Sequence, residues 1–161
     1  MADRRVRGVK FTGSTAGGKQ VAMIAAQHMK KGCYELGGND AFVVLKDANL
    51  EAAVEAAYSS RLMCAGQMCN AAKRFILEAP IYDQFKDMLI TKIKSSTVIG
   101  DPMDPNVTLG PMAGEAHLEK IKNQVARAVN EGGAEHIYGD YDIRKSRPEL
   151  ADGNYTDVLV F

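Results

Sequence analysis

The feature that most constrains this chain is the alternation, from one end to the other, of short apolar runs with segments of helical periodicity. Val9 to Thr12 reads as a strand, and Val21, Ile24, Ala25 and His28 then recur at helical spacing until Gly32 stops them. Cys33 to Leu36 and Ala41 to Leu45 are two further apolar runs, separated by Gly37-Gly38. Asn49 can cap the next helix. Glu51 stands in its first turn, where the helix dipole favours a negative charge, and Ala52, Ala53, Ala56 and Ala57 carry it to about Met63 before Gly66 breaks it. Lys73 to Leu77 is a fourth strand. Pro80 opens a helix that carries Ile81, Phe85, Met88, Leu89 and Ile93 on one face. A Pro- and Gly-rich loop over 101–114 leads to a helix with Leu118, Ile121, Val125 and Val129, stopped by Gly132-Gly133. Ala134 to Tyr138 and the apolar end, Tyr155 to Phe161, read as strands, with a polar, irregular stretch between them. Strands alternating with helices predict an α/β fold, a three-layer arrangement of sheet between helices.

Composition narrows the function classes. The 161 residues suit one domain or a segment of something larger. Lys+Arg 20 balance Asp+Glu 20, so no basic surplus points to nucleic acid, and zero net charge favours association between copies. No run of about 18 apolar residues predicts a membrane span, and no long apolar segment follows the basic Met1 to Arg5 to make a secretory signal. Cys33, Cys64 and Cys69 are odd in number and lack a framework spacing, which fits reduced thiols in the cytoplasm or the mitochondrial matrix. Cys64 and Cys69 have neither the spacing of paired zinc ligands nor a helical i, i+4 relation, and His28, His117 and His136 are scattered, so no metal site is expected.

Three places could carry chemistry. The turn Gly13-Ser14-Thr15-Ala16-Gly17-Gly18 follows a strand and opens a helix, where backbone N–H groups can hold a phosphate. It does not have the spacing of the GxGxxG fingerprint, and a tight turn with a Ser or Thr cap would look the same. Glu35 ends an apolar run. Partial desolvation there would raise its pKa toward that of a useful general base, whereas a solvated strand end would leave it without function. Cys69 lies on the connection after Gly66, where a thiol can be exposed and backbone N–H groups favour the thiolate; a small buried hydrophobe is the plainer reading of any cysteine. Cys64 reads as the buried side of the helix end.

Taken in order, Phe11-Thr12-Gly13-Ser14-Thr15, Glu35-Leu36-Gly37-Gly38 and Gly66-Gln67-Met68-Cys69 resemble the aldehyde dehydrogenase superfamily, as does the spacing of 34 positions from Glu35 to Cys69. Lys73-Arg74-Phe75, Gly100-Asp101-Pro102 and Leu109-Gly110-Pro111 match in register. Arg61-Leu62-Met63 and Ala71 to Phe75 look most like the succinate-semialdehyde dehydrogenase branch. The resemblance implies Cys69 as nucleophile and Glu35 as general base. Gly13, Ser14 and Gly18 would lie against the cofactor's pyrophosphate, and Leu36 and Gly37 beside the nicotinamide. It further implies NAD or NADP as cofactor and a small-molecule aldehyde, succinate semialdehyde among the candidates, as substrate. On this reading residues 1–36 are the last part of an NAD(P)-binding domain and 37–161 the first part of a catalytic domain.

Members of that superfamily are far longer. The resemblance therefore implies that the adenosine pocket, the asparagine that helps bind the oxyanion, the glutamate on the nicotinamide ribose and the oligomerisation strand lie outside these 161 residues. Cys64 replaces an Asn common in the branch, and Met68 a small residue. A homo-oligomer, or a complementing chain that supplies the missing segments, is expected as partner, because exposed sheet edges demand one. A non-catalytic structural or interaction subunit is the alternative function.

Overall fold

A computed structural model describes residues 1–161. The first strand, β1 (Gly8–Thr12), pairs in parallel with β2 (Lys31–Glu35), with Thr12 opposite Glu35. Helix α1 (Thr15–Gln27) crosses between them. Ser14 caps it, its hydroxyl accepting from the Gly17 N–H at 3.1 Å. The helix stops earlier than Gly32. Met29 is left-handed at φ 51°, and the N–H groups of Met29 and Lys30 return to the carbonyls of Ala26 and Ala25. That closure leaves Gly32 inside β2.

A second parallel pair follows, β3 (Asp40–Val44) with β4 (Ala72–Leu77). Their connection runs through α2 (Leu50–Leu62), capped by the Asn49 carboxamide, which accepts from the Ala52 N–H at 3.0 Å. Period-2 alternation turns Phe42 and Val44 of β3, and Phe75 and Leu77 of β4, toward α2 and toward α3 (Tyr82–Ser96). Phe75 lies 5.5 Å from Phe42 and 6.5 Å from Phe85 between ring centroids. Val44, Val54, Ala57, Ile81 and Phe85 form one core. Phe85 is 1% exposed, and burying such a ring stabilises the fold by about 1.5–3 kcal/mol. Ile81 belongs to the short 3₁₀ turn Ala79–Ile81 that precedes α3 rather than to the helix itself, because the Ile81 N–H bonds back only to Glu78.

The remaining chain wraps the far end of α3. A second core joins Ile93, Ile99, Leu109, Ile143, Leu150 and Val158. Helix α4 (Glu115–Asn130) stops before Gly133, which is left-handed at φ 64°. The stretch read as irregular contains the single-turn helix α5 (Ile143–Ser146). Neither Ala134–Tyr138 nor Tyr155–Phe161 becomes a strand. They meet at one antiparallel bridge, Tyr138 with Val160. Gly139, at φ 104° and pressed against the Val158 carbonyl, ends the pairing after that contact.

The architecture is α/β with small parallel sheets. It is also open. Its accessible surface is 10648 Å², where a compact monomer of 17.5 kDa exposes about 7,900 Å². The outward faces of β3 and β4 leave Val43 and Ile76 exposed, and α1 leaves Met23 and Ile24 exposed. No helix is long and apolar enough to cross a membrane, and no group of three or more His, Cys, Asp or Glu side chains could hold a metal.

Candidate active site

Parallel pairing decides what meets what. The chain leaves the C-terminal end of β2 at Glu35, passes through Leu36-Gly37-Gly38-Asn39 and enters β3 directly. The N-terminal end of β4, which follows Cys69, lies beside the N-terminal end of β3, since Asp40 pairs with Ala72. The Glu35 connector and the Cys69 turn therefore come together. Gly38 marks the contact: a Cβ added there would stand 2.7 Å from the Cys69 carbonyl oxygen. The glycine turn joins the same end of β1–β2, where the Gly13 N–H donates to the Glu35 carbonyl at 3.0 Å.

The Cys69 turn has an unusual backbone. After α2, Cys64, Ala65 and Gly66 are left-handed in succession, at φ 52°, 54° and 71°. Each non-glycine residue held there costs of order 1–2 kcal/mol, a strain that is typical of functional loops. Gly66 is needed twice over, for its φ and because a Cβ would meet the Arg61 guanidinium at 2.8 Å. Arg61 reaches across to the Ala72 carbonyl, and its burial lowers its pKa. Gln67 ties the turn to the 101–114 loop: its carboxamide oxygen accepts from the Ala113 N–H at 2.9 Å and its nitrogen donates to the Cys64 carbonyl at 3.0 Å.

Cys69 is exposed, and so are Cys33 and Cys64. Cys64 thus departs from the expected buried helix end, because the left-handed turn begins at that residue and carries its side chain off the helix face. Glu35 is likewise exposed rather than partly desolvated. Strand alternation turns Tyr34 toward α1 and Glu35 outward, and β2 has no neighbour beyond β1.

Gly18 works differently from a phosphate-facing glycine within this chain. It is buried, its N–H donates to the Ser14 carbonyl at 2.8 Å, and a Cβ would stand 2.5 Å from a Leu36 methyl. It lets α1 close on Leu36. The N–H groups that remain free at the start of α1 are those of Ser14, Thr15 and Ala16. Gly37 is open, with nothing within 4 Å of an added Cβ. Two side chains that sequence reading left as ordinary strand residues also converge here. Lys73 donates to the carbonyls of Met68, Cys69 and Ala71, and Arg74, on the opposite face of β4, donates to the Asn39 carbonyl at 3.1 Å. A cationic pair at the head of a strand four residues after a cysteine was the available signal. A cavity of about 450 Å³ opens alongside, between α2, α3, β4 and residues 158–161, and Asn39, Arg61 and Lys73 help to line it.

Comparison with known proteins is decisive at the level of family. The family model described as "Aldehyde dehydrogenase family" matches residues 1–161. The chain belongs to the aldehyde dehydrogenase family. It is 42% identical to benzaldehyde dehydrogenase YfmT of Bacillus subtilis (strain 168) over 124 residues, which are 77% of this chain and 25% of that protein. It is also 42% identical to the succinate-semialdehyde dehydrogenase [NADP(+)] of Mycobacterium avium (strain 104), over 82% of this chain and 28% of that protein. Among solved structures, an NADP-dependent enzyme of E. coli superposes with a TM-score of 0.86 at 35% identity, covering 98% of this chain and 31% of that one. A betaine aldehyde dehydrogenase from Staphylococcus aureus, crystallised with NAD+, gives 0.87 at 31% identity, over 95% and 30%. The 161 residues therefore span under a third of the length of these aldehyde dehydrogenases.

Proposed function

We propose that this chain carries the nucleophile and base of an NAD(P)-dependent oxidation of an aldehyde to a carboxylic acid. The observation that carries the proposal is the meeting of Gly38 with the Cys69 carbonyl, which sets an exposed thiol turn against the connector that begins at Glu35. Cys69 is the nucleophile: its thiolate adds to the aldehyde carbon and gives a thiohemiacetal. A nicotinamide bound beside Leu36 and Gly37 would supply the acceptor for the hydride that this adduct loses in becoming a thioester. Glu35 is the base that takes a proton from water as it attacks the thioester, which frees the acid and returns the thiol. The free N–H groups of Ser14, Thr15 and Ala16, at the start of a 13-residue helix, suit a phosphate group of the cofactor. Gly13, Ser14 and Gly18 shape that turn, and Leu36 and Gly37 border the nicotinamide. Residues 1–36 serve the cofactor and 37–161 the reacting carbon. Succinate semialdehyde and aromatic aldehydes, the substrates named in the relatives' own names, are the first to try.

Surface favours a partner. The area beyond that of a compact monomer is about 2,700 Å², more than the roughly 800 Å² that each side contributes to a standard interface. A second copy, or a chain carrying the rest of the fold, would cover Val43, Ile76, Met23 and Ile24. This surface equally suits a non-catalytic interaction subunit, and the assay separates the two. Aldehyde-dependent formation of NAD(P)H is followed on the chain and on any complex it forms, with Cys69→Ser and Glu35→Gln alongside. Cys69→Ser is expected to abolish turnover. Glu35→Gln is expected to keep a single burst of NAD(P)H and lose the steady state. Undiminished turnover in Cys69→Ser would assign the chain to the interaction role. The thiols are expected to stay reduced, in the cytoplasm or the mitochondrial matrix.

A further inference from the structure

We infer that Lys73 is the positioning residue of the Cys69 turn, and that it aims the N–H groups of Cys69 and Asn70 at the oxygen of the reacting carbonyl; the inference rests on Cys69 being the nucleophile. The Lys73 ammonium donates to three carbonyl oxygens at once, those of Met68 at 3.2 Å, Cys69 at 2.8 Å and Ala71 at 3.1 Å. It takes part in none of the seven ion pairs, so these dipoles are its counter-charge. Every peptide bond of the chain is trans. In a trans peptide the carbonyl and the following N–H point in opposite directions. Drawing the Met68 and Cys69 carbonyls to one side therefore sends the N–H groups of Cys69 and Asn70 to the other. Neither N–H donates to any group in the chain, whereas the next one, of Ala71, is used by the Met68 carbonyl at 3.3 Å. Two consecutive unpaired N–H groups beside an exposed thiol are the donors that a developing oxyanion needs.

Gly38 borders the same carbonyl that Lys73 holds, and Arg74 holds the connector next to Gly38, at Asn39. Strand alternation explains the division of labour, since consecutive residues of β4 face opposite ways. A Lys at 73 suits the task because its three donors radiate from one atom and can serve three carbonyls.

The test separates attack that builds an oxyanion from attack that does not. With p-nitrophenyl acetate, the Cys69 thiolate adds to the ester carbon and the carbonyl electron pair moves to oxygen. The pair then returns, expelling p-nitrophenolate and leaving an S-acetyl thioester; the thiol proton goes to water. Iodoacetamide alkylates the same sulfur by displacing iodide, with no oxyanion. Both rates are measured at Cys69, Cys64 and Cys33 by peptide mass mapping in the wild-type chain, Lys73→Met and Lys73→Arg. Lys73→Met is expected to slow acetylation of Cys69 by about tenfold or more while alkylation of Cys69 changes by less than about twofold. Lys73→Arg should recover part of the loss. Unchanged Cys33 alkylation, on β2, checks that the fold persists, and if Lys73→Met unfolds, Lys73→Gln takes its place. Equal slowing of both reagents, or of neither, overturns the role of Lys73. Failure of either reagent to favour Cys69 in the wild-type chain overturns the nucleophile reading and this inference with it.

Discussion

The two consecutive glycines after Glu35 provide a sharp test of how the site is held. Gly37 and Gly38 are both exposed, and neither has a left-handed φ, so backbone strain does not distinguish them. Space does. A Cβ on Gly37 meets nothing within 4 Å, while one on Gly38 stands 2.7 Å from the Cys69 carbonyl oxygen. Ordinary contacts to a Cβ begin near 3.4 Å, so Gly38→Ala must push the turn away by about 0.5–0.7 Å, an overpacking that costs about 1–3 kcal/mol. The displaced atom is backbone, which cannot rotate aside, and it is the atom that Lys73 holds at 2.8 Å. A shift of that size also exceeds the roughly 0.5 Å tolerance of a reacting constellation, so reactivity at Cys69 should fall by about tenfold to a hundredfold. Urea denaturation gives the first readout: a loss of about 1 M in the midpoint for Gly38→Ala and no resolvable change for Gly37→Ala. Acetylation of Cys69 by p-nitrophenyl acetate gives the second, slowed in Gly38→Ala alone. Identical behaviour of the two variants in both measurements would refute the argument that Gly38 is reserved for the approach of Cys69.

Other expectations follow from the same contacts. Gly66→Ala imposes a left-handed Ala and displaces Arg61, which together cost about 2–3 kcal/mol; thermal unfolding should drop by about 5–10 °C for a chain of this size, with Cys69 reactivity falling as well. Phe85→Ala removes a ring that is 1% exposed and should cost about 3–5 kcal/mol without selectively altering Cys69. Asp140 has its pKa lowered, first by the Ser146 hydroxyl and then by the Asp142 N–H. A carboxyl depressed in the folded state contributes stability that is present above the ordinary carboxylate value near pH 4 and lost as pH falls below it. Asp140→Asn should therefore flatten that acid limb of a stability–pH profile and lower the plateau at neutral pH.

Local chemistry was legible in the sequence because its causes are local. Asn49 and Ser14 are caps whose side chains reach only three residues ahead, and both cap as their types require. The alternation of strands and helices, and the order of the Gly13, Glu35 and Cys69 segments, were readable for the same reason, and they carried the family. Whether an apolar run becomes a strand depends on a neighbour. Ala134–Tyr138 and Tyr155–Phe161 have the composition of strands but find only each other, at one bridge. Cys64 was misread because the break after α2 was placed at Gly66, whereas the left-handed turn starts two residues earlier, in residues that seldom adopt it. The exposure of Glu35 follows from β2 having one partner strand and one covering helix, which no residue type announces. The role of Gly18 against Leu36, the pressure of Gly38 on Cys69 and the three carbonyls gathered by Lys73 are all contacts between distant segments. The sequence by itself determined which residues could do chemistry and in what order they come. Only the tertiary structure decided which of them meet, because a parallel crossover brings together strand ends that the chain separates by more than thirty residues.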